Sequence, residues 1–236
     1  MDACLSAIHQ RRAIRVFDPV GIDETTRRQI LEAATLAPSS FNMQPYRFFW
    51  VQSPEKRKRA AEYCLSQSPA VTASALVVAA ADLNSWHSTS QSQLERMQQG
   101  GFSAEELAKF QRKSKAARWF FLQGWFGIFG AMKWIALRIL NLWKIIGTVP
   151  ASRRGMFQWA TKATALACEN LMIAAEALGL NTCPMEGFDG RRLGKFLKLS
   201  LRHQEIVMVI AIGKKSSRFE AQPRWRRPLR ATLEIL

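Results

Sequence analysis

The chain has 236 residues, enough to bury a full core within one large domain. Hydrophobic residues make up 48% and charged residues 22%, which argues against a disordered chain. The net charge of +16, from 34 Lys and Arg against 18 Asp and Glu, points to an anionic partner: a nucleic acid, a phosphate-bearing ligand or an acidic lipid surface. Residues 2–10 read as a short helix, and no apolar run precedes the first basic residues, so no secretory signal is expected. IDETTRRQILEAATLA (22–37) reads as a helix, with Asp23 at the N-cap and Ile30, Leu31 and Ala34 at helical spacing. PSSFNMQP (38–45) is a loop, YRFFWV (46–51) a strand and SPEKRKRAAEYCLSQ (53–67) an exposed helix. ASALVVAAA (73–81) reads as a strand buried on both faces, because its apolar run is unbroken.

Residues 82–118 are polar and are followed by an unusual apolar segment. Residues 155–180 form a long helix rich in small residues, with Gly179 as its C-terminal stop. A loop or short strand (181–189), a short basic helix (189–199), a second buried strand (205–213) and an extended basic tail (222–236) follow. There is no repeat and no linker. The chain reads as a single α+β domain over 1–236, with an apolar and basic helical insertion at about 85–155.

The cysteines, Cys4, Cys64, Cys168 and Cys183, form no C-x-x-C pair, and with His9, His87 and His203 they show no metal-ligand spacing. Reduced thiols in a cytoplasmic compartment are expected, and no metal.

The segment RWFFLQGWFGIFGAMKWIALRILNLWKIIGTVP (118–150) lies in a window without acids. Between Leu107 and Cys168 there are eleven Lys or Arg and five of the eight Trp, but no Asp or Glu. On one helix, Gln123, Gly127, Gly130, Lys133, Arg138, Asn141 and Lys144 fall within an arc of roughly 140°, leaving the remaining arc almost wholly apolar. Gly147 and Pro150 would end that helix. A spanning helix needs about 20 apolar residues, and a central Lys costs about 2.5–3.5 kcal/mol. The longest uncharged run, Trp119–Met132, has 14 residues, so a transmembrane helix is disfavoured. Three readings stay open: a helix buried against a partner subunit, with Phe126, Ile128 and Phe129 as core; a helix in an anionic membrane interface, with Trp119, Trp125, Trp134 and Trp143 as anchors; or a lid over an apolar substrate.

Four stretches carry residues suited to an anionic ligand. QRRAIRVFD supplies Arg11, Arg12 and Arg15. PSSFNMQP supplies Ser39, Ser40, Asn42 and Gln44. PMEGF supplies Gly187, where backbone approaches a flat ligand closely. PRWRR supplies Arg224 and Arg226. Arginine grips phosphate bidentately and keeps its charge, so pairs near both chain ends fit a phosphate-bearing cofactor.

The order RRAIRVFD, PSSFNMQPYRFFWV, ALACENLMIAAEALGLNTCPMEGFD, EIVMVIAIG and PRWRRPL resembles the FMN-dependent nitroreductase family, over residues 5–81 and 155–233. The resemblance implies a three-layer α+β sandwich, with a central, mostly antiparallel sheet flanked by helices, built as an intertwined homodimer with FMN at the interface. It implies that Arg11, Arg12, Ala13 and Arg15 lie near the FMN phosphate and ring system. Pro38, Ser39, Ser40, Asn42 and Gln44 would come from the partner subunit. Pro184, Met185, Glu186 and Gly187 would lie against the ring, with a backbone N–H reaching N5. Arg224 and Arg226 would hold the phosphate, and the polar residue before the second strand (73–81) would be Ser66 or Gln67. Ala13 departs from the family, which usually has a hydroxyl there.

The chemistry implied is hydride transfer from NADH or NADPH to the flavin, then electron transfer to a small-molecule acceptor. The protein supplies position and charge rather than an acid–base pair, so no catalytic side chain is expected and Glu186 reads as structural. The leading expectation is an FMN-dependent NAD(P)H oxidoreductase acting on an apolar, quinone-like or nitroaromatic acceptor. Its place would be the cytoplasm, with the inner membrane face as a possible anionic partner through 118–150. The alternative is a peripheral membrane-surface protein with a structural or vestigial flavin site. Nucleic acid is not expected, since the charge neighbours an apolar helix and no binding motif is present.

Overall fold

The computed structural model describes residues 3–121, 128–145, 150 and 152–236. Its sheet comprises β1 (Phe17–Asp18), β2 (Tyr46–Val51), β3 (Ala75–Asp82), β4 (Asn181–Met185) and β5 (Gln204–Lys215). The long β5 is the organising strand. It pairs with β3 along one edge and with β4 and then β1 along the other, while β2 lies outside β3. All four pairings are antiparallel. A single parallel bridge, Ala13 to Thr182, sets residues 13–14 beside β4.

The helices are α1 (Ala3–Gln10), α2 (Glu24–Thr35), α3 (Pro54–Tyr63), α4 (Ser68–Thr72), α5 (Ser85–Gln99), α6 (Ala104–Phe121), α7 (Ile128–Asn141), α8 (Arg153–Ala177) and α9 (Gly190–Phe196). Strand alternation explains the layering. Val77 faces the same side as its partner Ile210, packed on Ile30 of α2 and Leu171 of α8. Leu76 and Val78 face the other side, packed with Ala60 and Ala61 of α3 and Leu193 of α9. Every residue of β3 is buried, as its unbroken apolar run requires. Each large side chain sealed this way contributes about 1.5–3 kcal/mol. The result is the expected three-layer α+β sandwich.

Helix ends follow local chemistry. The Asp23 carboxylate accepts from the Thr26 N–H at 2.9 Å and the Thr26 hydroxyl at 2.7 Å, which starts α2 and holds the carboxyl below its usual range. At the end of α8, Gly179 takes φ +75°, the Leu180 N–H reaches the Ala175 carbonyl at 2.8 Å and the Gly179 N–H reaches Glu176 at 3.0 Å. These are the paired bonds of a Schellman stop.

Two helix ends differ from expectation. The helix expected over 53–67 stops at Tyr63 and a new one, α4, begins at Ser68. Pro69 has no N–H to continue a helix but fits the first turn of a new one. Leu65 and Ser66 make the corner at φ 57° and 49°. The polar stretch 82–118 holds α5 and most of α6. Gly100 and Gly101 end α5, and Ser103 with Glu106 forms a capping box: the Glu106 carboxylate accepts from the Ser103 N–H at 2.8 Å, and the Ser103 hydroxyl accepts from the Glu106 N–H at 3.3 Å. Finally, α7 ends at Asn141, short of Gly147, as the chain tightens into a turn from Ile139 to Trp143.

Gln123, Trp125, Phe126, Gly127 and Gly147 lie outside the described residues, as do the side chains of Trp119, Ile128, Phe129, Lys133 and Trp134. Within α7, Gly130 is buried and Leu137, seven residues on, is half-buried. Met132, Ile135 and Ile139 on another face, and Trp143 just beyond, are 63%, 52%, 55% and 81% exposed. Gly130 is thus covered while Arg138, Asn141 and Lys144 of its arc stay exposed, and in the single chain the apolar positions Met132, Ile135 and Ile139 face outward. Among the described residues, no helix is long and apolar enough to cross a membrane.

Candidate functional site

Both ends of the chain meet at the β4 edge of the sheet. The Ile14 N–H donates to the Thr182 carbonyl at 3.0 Å, which fixes the segment 11–15 alongside β4. The tail crosses it: Arg224 donates to the Arg11 carbonyl at 2.6 Å, and Arg12 donates to the Gln222 carbonyl. Between them is a cavity of about 350 Å³ lined by Arg11, Arg12, Ala13, Arg15, Glu220 and Arg226, among others. Four guanidinium groups against one carboxylate make this cavity strongly electropositive.

Arg11 is tethered as well as charged. Its side chain is 21% exposed and pairs with Glu169 of α8 at 3.3 Å. Its Nε is buried without a hydrogen-bond partner among the described residues. Such a donor is costly to leave unpaired, so an anion seated here would be welcome. Ala13 is exposed on the same wall and offers no hydroxyl to a ligand. Arg15 is fixed by its backbone: its carbonyl accepts from the Ser68 hydroxyl at 2.9 Å.

Beyond the C-terminal end of β4 lies PMEGF. Met185 is buried in the core and anchors the strand end, whereas Glu186 and Gly187 are exposed and Pro184 is half-buried. Gln67 reaches across from the start of α4 and donates to the Gly187 carbonyl at 2.7 Å. A Cβ added at Gly187 would stand 3.1 Å from the Gln67 amide nitrogen, so a side chain there would press on this contact. Of the pair Ser66 and Gln67, it is Gln67 that approaches PMEGF. Residues 11–15, 67, 187, 224 and 226 thus gather along one edge, with a cationic cradle at one end and bare backbone at the other. The donor set fits a flat ligand with a phosphate tail.

The loop 38–44 is built elsewhere. Ser40–Asn42 forms a single 3₁₀ turn, and Phe41, Asn42 and Gln44 take left-handed φ of 57°, 51° and 46°. Ser39 accepts from the Gln44 N–H at 2.9 Å, and Asn42 accepts from the Gln44 side chain at 3.1 Å. Pro38, Ser40 and Asn42 are exposed. The loop enters β2, which β3 and β5 separate from β4. Three strand spacings, about 14 Å, therefore lie between the strands carrying the two motifs. Within one chain the loop does not line the arginine cavity.

Sequence reading missed several contributors. Gln222 and Glu220 sit in an unpatterned tail, and Glu169 is one of many polar residues on α8, so no local signal marks them. A wider depression of about 800 Å³ along α8 is lined by Arg153, Arg154, Lys162 and Glu205 and shares no residue with the arginine cavity. The smaller cavity is the candidate site because arginines from two stretches at opposite ends of the chain, 11–15 and 219–226, converge there. Among the described residues no cluster of His, Cys, Asp and Glu is suited to a metal.

Together the sandwich, the arginine cradle and the glycine-bearing strand end define a class. The family model for the Nitroreductase family matches residues 8–143 and 147–214, and the chain belongs to that family. The match runs through most of residues 85–155. Protein DrgA from Synechocystis sp. is 29% identical over 228 residues, covering 96% of this chain and 91% of that one. A solved Staphylococcus epidermidis structure, described as an NAD(P)H:FMN oxidoreductase, is 26% identical with a TM-score of 0.76, covering 100% and 97% of the two chains. The fold is shared too by an Exiguobacterium sibiricum nitroreductase structure in complex with FMN, 24% identical with a TM-score of 0.75 over 98% and 96% of the chains.

Proposed function

We propose that the protein is an FMN-dependent oxidoreductase that passes electrons from NADH or NADPH to a small apolar acceptor, quinone-like or nitroaromatic. The observation that carries this reading is the convergence of Arg11, Arg12, Arg15 and Arg226 on one cavity, in line with Gln67 and Gly187. FMN, when bound, supplies the hydride acceptor and the electron relay. The arginines bind its phosphate and keep negative charge favourable nearby. Gln67 orients the Gly187 peptide, and the missing side chain at Gly187 leaves room for a ring. No side chain is assigned to proton transfer, and Glu186 stays outside the chemistry. Purified protein should be yellow, contain FMN and oxidise NADH or NADPH with menadione or nitrofurazone as acceptor. A colourless preparation that takes up no FMN and shows no turnover overturns the proposal.

The same reading makes the unit an intertwined homodimer in which Pro38, Ser39, Ser40, Asn42 and Gln44 complete the partner subunit's site. Two observations support it. The loop does not line the cavity of its own chain, and the tail leaves Trp225 75% and Leu229 71% exposed, apolar surface that a second subunit would cover. Sedimentation at low micromolar concentration should give twice the mass of 26.7 kDa; a stable monomer that still binds FMN removes the shared site.

A second surface is proposed as peripheral, on the inner face of a membrane. The outward apolar face of α7 sits in an acid-free, basic window, which suits anionic lipid better than a copy of the same surface. Co-sedimentation with phosphatidylglycerol vesicles at low salt tests this. Binding without turnover would favour a membrane-surface protein with a structural flavin; absence of binding removes the membrane role.

A further inference from the structure

We infer that Gln93 of α5 is a positioning residue for the loop 38–44, an inference that rests on the reading of that loop as part of a flavin site. Phe41, Asn42 and Gln44 all hold left-handed backbone without being glycine, a conformation that persists only where surroundings enforce it. Inside the loop, Gln44 donates from its backbone to the Ser39 hydroxyl and from its side chain to Asn42, which closes the far side. The near side is held from another element altogether. The Gln93 side-chain amide donates to the Asn42 carbonyl at 2.7 Å and lies 3.4 Å from the Phe41 carbonyl, 51 and 52 residues away in sequence.

Gln93 does not act alone on its helix. Trp86 is seven residues earlier, hence on the same face of α5. It packs with Leu83, Met156 and Trp159 around Met43, the one residue of residues 41–44 that is sealed from solvent. The loop is therefore gripped through an apolar anchor at Met43 and through the two carbonyls before it. With those carbonyls engaged, the Ser40 and Asn42 side chains remain exposed. An Asn42 carbonyl freed from Gln93 would let the strained turn relax toward ordinary backbone and rotate the Asn42 amide with it. Gln93 is suited to the task because its NH₂ group donates two bonds and is neutral, so two carbonyls can share it.

The test is FMN titration of the dimeric protein, followed by flavin fluorescence and visible circular dichroism. Gln93→Met keeps the length and removes the donor, and Gln93→Glu replaces it with an acceptor facing two carbonyls. Both should weaken FMN binding by about tenfold, the worth of one good hydrogen bond, with the flavin dichroism altered. Gln93→Lys restores a donor and should recover most of the affinity. The apoprotein melting temperature should stay the same across the series. Asn42→Ala is the control for the underlying reading. If Asn42→Ala weakens FMN binding and Gln93→Met does not, the positioning role is overturned. If neither changes binding, the loop itself is not part of the flavin site and the underlying reading falls. If the melting temperature falls with affinity and Gln93→Lys rescues neither, Gln93 is only a packing residue.

Discussion

Gln67 and Gly187, 120 residues apart, are joined by a 2.7 Å hydrogen bond from a side-chain amide to a backbone carbonyl. The bond ties the corner between α3 and α4 to the end of β4, and it stands where a flat ligand would meet bare backbone. The left-handed Leu65 and Ser66 aim Gln67 at its target. Shortening Gln67 to Ala should leave the Gly187 peptide free to turn. FMN affinity should drop roughly tenfold with little change in the melting temperature of the apoprotein. Gly187→Ala should have a similar effect, since its methyl group would crowd the Gln67 amide at 3.1 Å. Fluorescence titration with FMN measures both, and unchanged affinity in both variants would contradict the placement.

On the proposed reading, the arginine cavity should discriminate by phosphate. Wild-type protein should bind FMN far more tightly than riboflavin, and more weakly as salt rises. Arg226→Ala should lose roughly tenfold or more toward FMN while riboflavin binding changes little, because a charge-assisted bond to phosphate is worth about 1.5–3 kcal/mol. Equal loss toward both ligands would place Arg226 elsewhere.

The outward face of α7 can be tested without touching the flavin site. Ile139→Asp and Trp143→Asp each replace an exposed apolar contact with a charge, at positions 55% and 81% exposed. Bilayer affinity for anionic vesicles should fall at least tenfold, since burying a carboxylate costs more than the apolar contact returned. Turnover with a water-soluble nitroaromatic should hold. Vesicle binding that persists in both variants would move the contact off α7.

Leu171 is fully buried between α8 and the sheet, in contact with the α2 layer. Leu171→Ala should cost about 2–5 kcal/mol through lost transfer energy and a cavity. Urea denaturation of the dimer reads this directly; a loss well under 1 kcal/mol would mean the layer repacks freely.

Thiol chemistry sets an alkaline limit. Burial pushes Cys168 from 9.0 to about 12, with the charge of Glu169 adding to the rise, and pushes Cys64 to about 11. An unfolded chain releases these protons above pH 9 while the folded chain keeps them, so unfolding is favoured as pH climbs from 9 toward 12. Stability should be insensitive to these groups below pH 8.5. The alkaline decline should be shallower in a Cys64→Ala, Cys168→Ala double variant than in wild type, as read by melting temperature against pH. Exposed Cys4 should be the thiol that iodoacetamide modifies first in the native protein at pH 7.5.

How much of this was legible beforehand depends on the range of the forces involved. The unbroken apolar run of β3, the Asp23 cap and the Gly179 stop are signals carried by neighbouring residues, and they read correctly. The capping box Ser103–Glu106 was equally local and was there to be read. The corner at Leu65 and Ser66 was not, because it exists only where Cys64 is drawn into the core and Pro69 restarts the helix. The arginines at 11, 12, 15, 224 and 226 were visible as charge, yet which of them share a cavity depended on the tail crossing β4.

Gln93 shows the same division. Nothing around it in SWHSTSQSQLERMQQ marks it, since its value lies in two carbonyls half a hundred residues away. By itself the sequence determined the family, the buried strands, the start of α2, the stop of α8 and an anionic ligand, because periodicity, capping and charge act over a few residues. Tertiary structure alone decided which polar groups face each other across the β4 edge, which face of α7 turns outward, and which side chains brace the strained loop. Those outcomes depend on long-range closure of the chain, where burial selects among pairings that local chemistry leaves equally acceptable.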